Sequence, residues 1–307
     1  MAGSQKVRTC PWQNLVSNEM KISIVVLSWN TKDLLKKCLK SIPFYAEVII
    51  VDNGSKDGTV HFLNSLKWPN LKIIKNKKNL GFAKGNNQGI KTASGDLIML
   101  LNSDTIVQKR AIEKLVNFYS DQKDKKIAFS PLLLNKEGTI QEEYYMRFPN
   151  LWQIFGYHYP LFRFFAMRLP LKKLIVSQIK KEHFEVEQLP GAALIAPKEV
   201  WQEVGLLDED YQFLYEDVDW CWRAKKAGIK LFVLREAKVV HLGGGSWKKK
   251  LARKSFEFYR DYFEALLLFV RKNYGKGKEK LYRLVLLFNF FTRGKFKLFN
   301  YFLRKKN

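Results

Sequence analysis

The feature that most limits how this chain folds is an alternation, repeated through its first hundred residues, of short β-branched runs with helical patterns. "ISIVVLS" (22–28) reads as a buried strand, and "TKDLLKKCLKSI" then places Leu34, Leu35, Cys38 and Leu39 on one helical face behind Thr31 as N-cap. "EVIIVD" (47–52) is a second strand, closed by the loop "NGSKDGT" before another helix. "LKIIKN" (71–76) is a third and "GDLIMLLNSD" (95–104) a fourth, with a helix from about Gly85 to Ala93 between them. Strands alternating with helices at this spacing predict βαβ units, hence an α/β class with a mostly parallel sheet flanked by helices. Ligands of such sheets collect beyond the C-terminal ends of the strands. Residues 28–30, 52–55 and 102–104 are therefore where a site is expected.

The whole chain is strongly basic, with 54 Lys and Arg against 29 Asp and Glu and a formal net charge of +25. Such an excess predicts a polyanionic partner: nucleic acid, an anionic membrane face or a phosphorylated substrate. With 307 residues, 47% of them hydrophobic, there is material for a full core, expected as one large domain with an appendage. Cys10, Cys38 and Cys221 form no CxxC pair and are odd in number, so neither a disulfide framework nor a zinc site is expected, which fits a reducing compartment. No basic segment is followed by an apolar run and a small-residue cleavage site, and no uninterrupted apolar run reaches about 18 residues. A secretory signal and a membrane-spanning helix are accordingly not expected.

Against this charge, a few carboxylates stand out. Asp52 closes an apolar strand before Asn53-Gly54, where it would accept hydrogen bonds from a ribose hydroxyl or a base N–H, or merely make the turn. Asp104 follows "LIMLLN" and is suited to Mg2+ or Mn2+ shared with phosphate oxygens, or to capping a helix that starts near Gln108. In "YQFLYEDVDWCWRAKKAG" (211–228), Glu216, Asp217 and Asp219 fall in the first turn of a helix, where the helix dipole stabilises each by roughly 0.3–1 kcal/mol. Asp219 also stands four residues before Arg223 in the favourable acid-first order, so a structural ion pair is expected of it.

Four stretches, "VVLSWNTKDLLKKCLKSI", "VIIVDNGSKDGT", "NKKNLGFAKGNNQGIKTASGDLIMLLNSD" and "YEDVDWCWRAKKAG", together resemble the family-2 glycosyltransferases. They are most similar to the rhamnosyltransferase-like branch that builds bacterial surface polysaccharides, and the resemblance covers roughly 20–245. It implies a GT-A nucleotide-binding, Rossmann-like sheet, transfer with inversion from a nucleotide-sugar, and usually a divalent metal, Mg2+ or Mn2+. Carried over by position, it assigns Asp52 to the nucleoside, with Ser28 and Asn30 lining the same pocket. Asn79, Gly81, Lys84 and Asn87 match the segment along the nucleotide-sugar, where glycines permit close approach and Lys84 offsets diphosphate charge. "NSD" takes the place of the DxD motif, which makes Asp104 a metal ligand with Asn102 replacing the first aspartate. The general base falls on the acidic pair, Asp217 first with Glu216 as its neighbour and either a cap or a partner of donor or acceptor. Gly191 in "QLPGAALIAPKEVW", a predicted strand and short helix, lets the backbone approach sugar or acceptor, or is a turn glycine after Pro190. His241 in "AKVVHLGGGS" is a further candidate metal ligand, with a structural histidine as the alternative. The glycines and Lys248 to Lys250 read as a loop closing over the diphosphate, or as a solvated charge run.

Two segments lie outside this core. Residues 142–188 form an insertion rich in aromatics, Arg and Lys, and residues 246–307 read as two or three basic amphipathic helices broken at Gly275 to Gly277 and at Gly294. Such helices suit an anionic bilayer surface, or else pack on the catalytic domain or in a homodimer interface. The first option predicts a peripheral protein on the inner, cytoplasmic face of the membrane and a polyprenyl-diphosphate-linked or other saccharide acceptor, with a dTDP- or UDP-sugar as donor. A sugar-nucleotide nucleotidyltransferase fits less well, because "LSWNTKDLL" has no glycine for a phosphate loop. A non-catalytic nucleic-acid binder would leave Asp52, Asp104 and Asp217 without purpose, so no nucleic acid is expected as partner.

Overall fold

The computed structural model describes residues 20–141, 147–151, 181–212, 214–243 and 256–305. Most of the aromatic and basic insertion, the loop bearing Lys248 to Lys250, and Cys10 lie outside the described residues. Strands β1 (Ile22–Ser28), β2 (Glu47–Asp52), β3 (Leu71–Lys75) and β4 (Leu97–Asn102) pair in parallel in the order β3-β2-β1-β4. Helices α1 (Lys32–Ser41), α2 (Thr59–Asn64) and α3 (Phe82–Thr92) make the connections between them. In β1 every residue from Ile22 to Val26 is buried, as is every residue of β2 after Glu47. That is the pattern of parallel strands covered on both faces, and it is why these strands read as unbroken apolar runs.

Helix α3 starts three residues before the position its pattern indicates, because Gly81 turns the chain at φ 89°. It then lies very close to β1. A Cβ on Gly89 would come within 2.2 Å of Val25 Cγ1, and one on Gly85 within 2.5 Å of Leu27 Cδ1. These two glycines set the helix-to-sheet distance.

The other half of the sheet is mixed. β5 (Thr105–Val107), helix α4 (Ala111–Asp121), β6 (Ile127–Leu134), β7 (His183–Glu185), β8 (Ile195–Pro197) and β9 (Lys230–His241) complete it, in the order β4-β8-β6-β9-β5 with β7 also on β9. β8 is antiparallel to both neighbours, β9 is parallel to β6, and β5 and β7 are antiparallel to β9. The stretch predicted as one strand around Gly191 divides into a 3-10 turn, Gly191–Ala193, and the short β8. α5 (Lys198–Val204) follows directly, with Pro197 at its N-cap, and α6 (Glu216–Lys226) precedes β9.

Helices α7 (Phe256–Tyr274), α8 (Lys276–Thr292) and α9 (Phe296–Arg304) are separated at Gly275 (φ 96°) and Gly294 (φ 64°). They build a second apolar core that is shared with the domain, not an appendage. Phe269 and Val270 of α7 are fully buried, and Phe269 packs against Tyr215, Trp222 and Phe148. Burying a side chain of this size is worth about 1.5–3 kcal/mol.

The polar counterpart of that seam is Asp219. Its Oδ2 pairs with Arg223 Nε at 2.8 Å, and its Oδ1 accepts from Asn273 Nδ2 of α7 at 2.8 Å and from Tyr211 Oη at 3.2 Å. Arg223 in turn donates to the carbonyls of Val204 and Leu206. Removing one partner of a buried pair leaves the others without their bond. Asp219→Ala should therefore lower unfolding stability by about 3 kcal/mol in denaturant titration and make the junction between α6 and α7 protease-sensitive.

Candidate active site

Three of the polar residues predicted at the sheet's rim are brought together by strand register. Ser28 pairs with Asp52 at the ends of β1 and β2, and Leu27, one residue earlier, pairs with Asn102 at the end of β4. Asp52 is 1% exposed; its Oδ2 accepts from the Ser55 N–H at 3.1 Å, while its Oδ1 is buried with no hydrogen-bond partner among the described residues. A buried carboxylate oxygen left so is costly unless a donor from outside reaches it. Ser28 Oγ, Thr31 Oγ1 and Ser103 Oγ form a continuous hydroxyl chain with steps of 2.9 and 2.8 Å across the same edge.

Other residues predicted along the donor have different tasks. Asn30, held at φ 52°, accepts from the Lys56 N–H and donates its own N–H to Ser55 Oγ, so it ties two loops together. Asn79 Oδ1 accepts from Asn53 Nδ2 and from the Gly81 N–H, both at 2.9 Å, which shapes the turn into α3. Asn87 is buried; its amide oxygen accepts from the Leu207 N–H and its nitrogen donates to Leu207 O and Glu209, so it fastens the loop ahead of α6. Lys84 is exposed, 4.0 Å from Glu209. Asn53, whose place in the sequence marks only a turn, is the hub here: its side chain binds Asn76, Asn79, Leu80 and Gly81.

Asp104 and His241 come from distant parts of the sequence and meet because β5 pairs with the end of β9, Thr105 lying opposite His241. The Leu242 N–H donates to the Asp104 carbonyl at 2.9 Å, and His241 Nε2 lies 3.3 Å from Asp104 Oδ1. Gln141 orients the ring. Its Nε2 donates to His241 O and to Asn135 Oδ1, so its Oε1 faces His241 Nδ1 at 3.1 Å. Nε2 is then the ring nitrogen that faces the carboxylate. An imidazole oriented through its other nitrogen in this way is what metal-ligating histidines show. The pair fits a divalent ion as two protein ligands, with phosphate oxygens and water needed for the rest. No cluster of three or more His, Cys, Asp or Glu suited to a metal occurs among the described residues.

The acidic pair opens α6 behind two non-glycine residues at positive φ, Leu214 (63°) and Tyr215 (73°). Backbone strain of this kind is stored where a site requires it. Asp217 accepts from the Gly191 N–H through Oδ2 and from the Val218 N–H through Oδ1, each at 2.8 Å. Glycine eases that approach: a Cβ at position 191 would lie 3.2 Å from Asp217 Oδ2 and 3.3 Å from Phe82 Cε1, so a larger residue must push one of them by a few tenths of an ångström. The Leu100 N–H donates to Leu194 O at 2.8 Å, which sets this turn beside the end of β4. Glu216 is 6% exposed, with Oε2 buried and lacking a hydrogen-bond partner among the described residues.

Burial pushes the Glu216 carboxyl up to about 8, and the neighbouring Asp217 carboxylate adds to the rise. Burial raises Asp217 as well, opposed by the two N–H groups that favour its charged form. Of the pair, Asp217 is the one equipped to be ionised and Glu216 the one kept protonated.

The family model described as Glycosyl transferase family 2 matches residues 23–170. That match spans just under half of the chain. The low-salt glycan biosynthesis hexosyltransferase Agl10 of Haloferax volcanii is 23% identical over 237 residues, 76% of this chain and 70% of its own. Of other curated relatives the chain spans much less, 28% of one and 57% of another. Among solved structures, Staphylococcus aureus TarS 1–349 with UDP-GlcNAc aligns over 91% of this chain and 89% of its own, with TM-score 0.53 and 15% identity. The mannosyltransferase PcManGT of Pyrobaculum calidifontis, with GDP-Man and Mn2+, aligns over 82% and 64%, with TM-score 0.52 and 15% identity. The likeness is one of fold, the GT-A architecture.

Because Glu216 binds its proton more tightly folded (about 8) than unfolded (4.5), the folded state holds the extra proton between these values and stability falls as pH rises through that window. Glu216→Gln should remove most of this slope, leaving the part that comes from Asp217. Denaturant titrations at pH 5.5 and 8.5 should show the wild type losing a few kcal/mol, most of which the variant keeps, at about 1.4 kcal/mol for each pH unit crossed inside the window.

Proposed function

We propose that this protein is an inverting glycosyltransferase that moves a hexosyl group from a nucleoside-diphosphate sugar to a hydroxyl of a saccharide or lipid-linked saccharide acceptor. The observation that carries the reading is the Asp217 carboxylate, held by two backbone N–H groups beside a protonated Glu216 at the start of α6, in a domain whose sheet edge presents Asp52 and Asp104. In this reading Asp217 takes the proton of the acceptor hydroxyl as that oxygen attacks the anomeric carbon, and the bond from that carbon to the diphosphate breaks on the opposite face. One base suffices for such a displacement; a double displacement needs a second carboxylate positioned as nucleophile.

Glu216, neutral at neutral pH, keeps a second negative charge away from the base and leaves Asp217 a single-site acceptor. Asp52 meets the nucleoside through its unpartnered oxygen. Asp104 and His241 would hold Mg2+ or Mn2+, which would neutralise charge on the leaving diphosphate. Gln141 fixes the His241 ring for that purpose, and Gly191 fixes the base. Support for a nucleotide-sugar donor comes from structural neighbours solved with UDP-GlcNAc and GDP-Man, and for a metal from the neighbour solved with Mn2+. The donor suggested by the motifs is a dTDP-sugar, rhamnose first, with UDP-sugars next.

A panel of dTDP-rhamnose, UDP-GlcNAc and GDP-mannose, tested for Mn2+-dependent thermal stabilisation and donor hydrolysis, should reveal one preferred nucleotide. With that donor, Asp217→Asn should lower turnover by about 10²–10⁴-fold while nucleotide affinity by calorimetry stays within about twofold. Asp104→Ala should instead abolish the Mn2+ dependence of nucleotide binding. An Asp217→Asn protein as active as the wild type would remove the base assignment. In Gly191→Ala the new methyl presses on Asp217 Oδ2, so turnover should fall on the order of tenfold or more with donor affinity again unchanged.

A further inference from the structure

The C-terminal helices bury one face against the domain and leave another uncovered. In α8 the buried residues are Glu279, Tyr282, Leu286, Asn289 and Phe290. The opposite face carries Leu281, Leu284, Phe288 and Phe291 at spacings of 3, 4 and 3, exposed by 46%, 64%, 58% and 58%. Phe296, next to Phe291 across the α8–α9 turn with ring centroids 6.2 Å apart, continues the strip at 55% exposure. Scattered exposed apolar residues are ordinary on a protein surface, but a contiguous aromatic and aliphatic strip on one helix face marks an interaction surface.

The charges around the strip are of one sign. Residues 276–305 contain nine Lys and Arg and a single acid, Glu279, which is buried and paired with Arg283. Lys276, Lys278 and Lys280 are exposed at one end of the strip, and Arg293, Lys295 and Lys297 at the other. Lys297, Arg304 and Lys305 also line, with Phe256, Asn300 and Tyr301, a groove of about 630 Å³. Of these cations only Lys305 has a carboxylate partner among the described residues, Glu264 of α7; the segment itself offers no exposed acid.

We infer that this face of α8 and the α8–α9 turn is a docking surface for an anionic lipid bilayer, with Leu284, Phe288, Phe291 and Phe296 entering the headgroup boundary and the flanking cations contacting lipid phosphates. An apolar strip bordered by Lys and Arg is the pattern of helices that lie in a membrane interface. A second copy of the chain fits worse: a two-fold contact would set the same uncompensated cations against one another. Spanning is not the mode, since among the described residues no helix is long and apolar enough to cross a membrane. The helices thus pack on the domain with one face and meet lipid with the other. Asn273 to Asp219 and Tyr262 to Tyr215 join this bundle to the helix of Asp217, so a docked protein holds its acidic pair at a fixed place relative to the surface.

Docking of this kind does not depend on glycosyl transfer, and binding alone tests it. The full chain is sedimented with vesicles of phosphatidylcholine containing phosphatidylglycerol, and with vesicles of phosphatidylcholine only. Binding is expected to the first, at least about tenfold above the second, and to weaken as salt rises. Leu284→Ser/Phe288→Ser, at two exposed positions that leave the fold and the melting temperature unchanged, should lower partitioning by about tenfold. Lys295→Glu/Lys297→Glu should lower it further, on the order of fivefold or more per residue. Donor turnover should be unchanged in both variants. Equal partitioning of variants and wild type, or equal binding to neutral vesicles, overturns the inference. So does a dimer seen by light scattering that Leu284→Ser/Phe288→Ser dissolves without any vesicle binding by the wild type.

Discussion

Everything at the acidic end of the molecule hangs on one buried carboxylate that does no chemistry. Asp219 sits two residues beyond Asp217, and its two oxygens are shared among Arg223, Tyr211 and Asn273. Arg223 passes the constraint on to the carbonyls of Val204 and Leu206, at the loop that Asn87 grips through Leu207. α3, α6, α7 and the segment after α5 are therefore located by a single polar network in an otherwise apolar seam. Alone, a buried ion pair is weak evidence for stability, because desolvation offsets the attraction. Here every lone pair and N–H that matters has a partner, and the gain is positional: the first turn of α6 cannot shift without breaking bonds in three other elements.

That rigidity explains how the strained start of α6 persists. Leu214 and Tyr215 at positive φ cost on the order of 1–3 kcal/mol each, and Glu216 carries a buried oxygen with no hydrogen bond among the described residues. Tyr215 offsets part of this by packing on Phe269 and Tyr262 in the second core. The carboxyl pair is then divided by backbone, not by residue type. Asp217 receives the Gly191 and Val218 N–H groups, so the charged form is favoured on that side chain and the proton stays on the other.

The parallel half of the sheet was legible because its strands are buried on both faces and bounded by polar punctuation, so β1, β2, β3 and β4 lie within a residue or so of their apolar runs. The mixed half was not. β5, β7 and β8 have three residues each, too few to show a period, and they exist only because long strands beside them offer free edges. The rim residues Asp52, Asp104 and His241 could be found as polar positions ending apolar runs. Their supports could not: Gln141 is a hundred residues from the ring it orients, and nothing in its own neighbourhood announces that task. Asn79 and Asn87 show a second layer the sequence hides. Asparagine in a glycine-rich segment suggests ligand contact, and the same side chain also satisfies a loop's own backbone, as both do here.

The same distinction bears on the basic excess. A net charge of +25 spread evenly would raise the potential everywhere and discriminate against nothing. In the fold, many of the cations are consumed locally: Arg223, Arg283, Lys272 and Lys225 each hold a carboxylate. From Lys276 to Lys305 acids are almost absent, only Arg283 and Lys305 hold a carboxylate among the described residues, and aromatic side chains stand uncovered among the remaining cations. Mere solubility would be served by lysine paired with polar neighbours, and phosphate-backbone binding would not need four exposed apolar side chains on one helix face. Cation and uncovered aromatic together fit the bilayer surface inferred above, and Asp219, through Asn273, ties the acidic pair to the helical bundle that carries them.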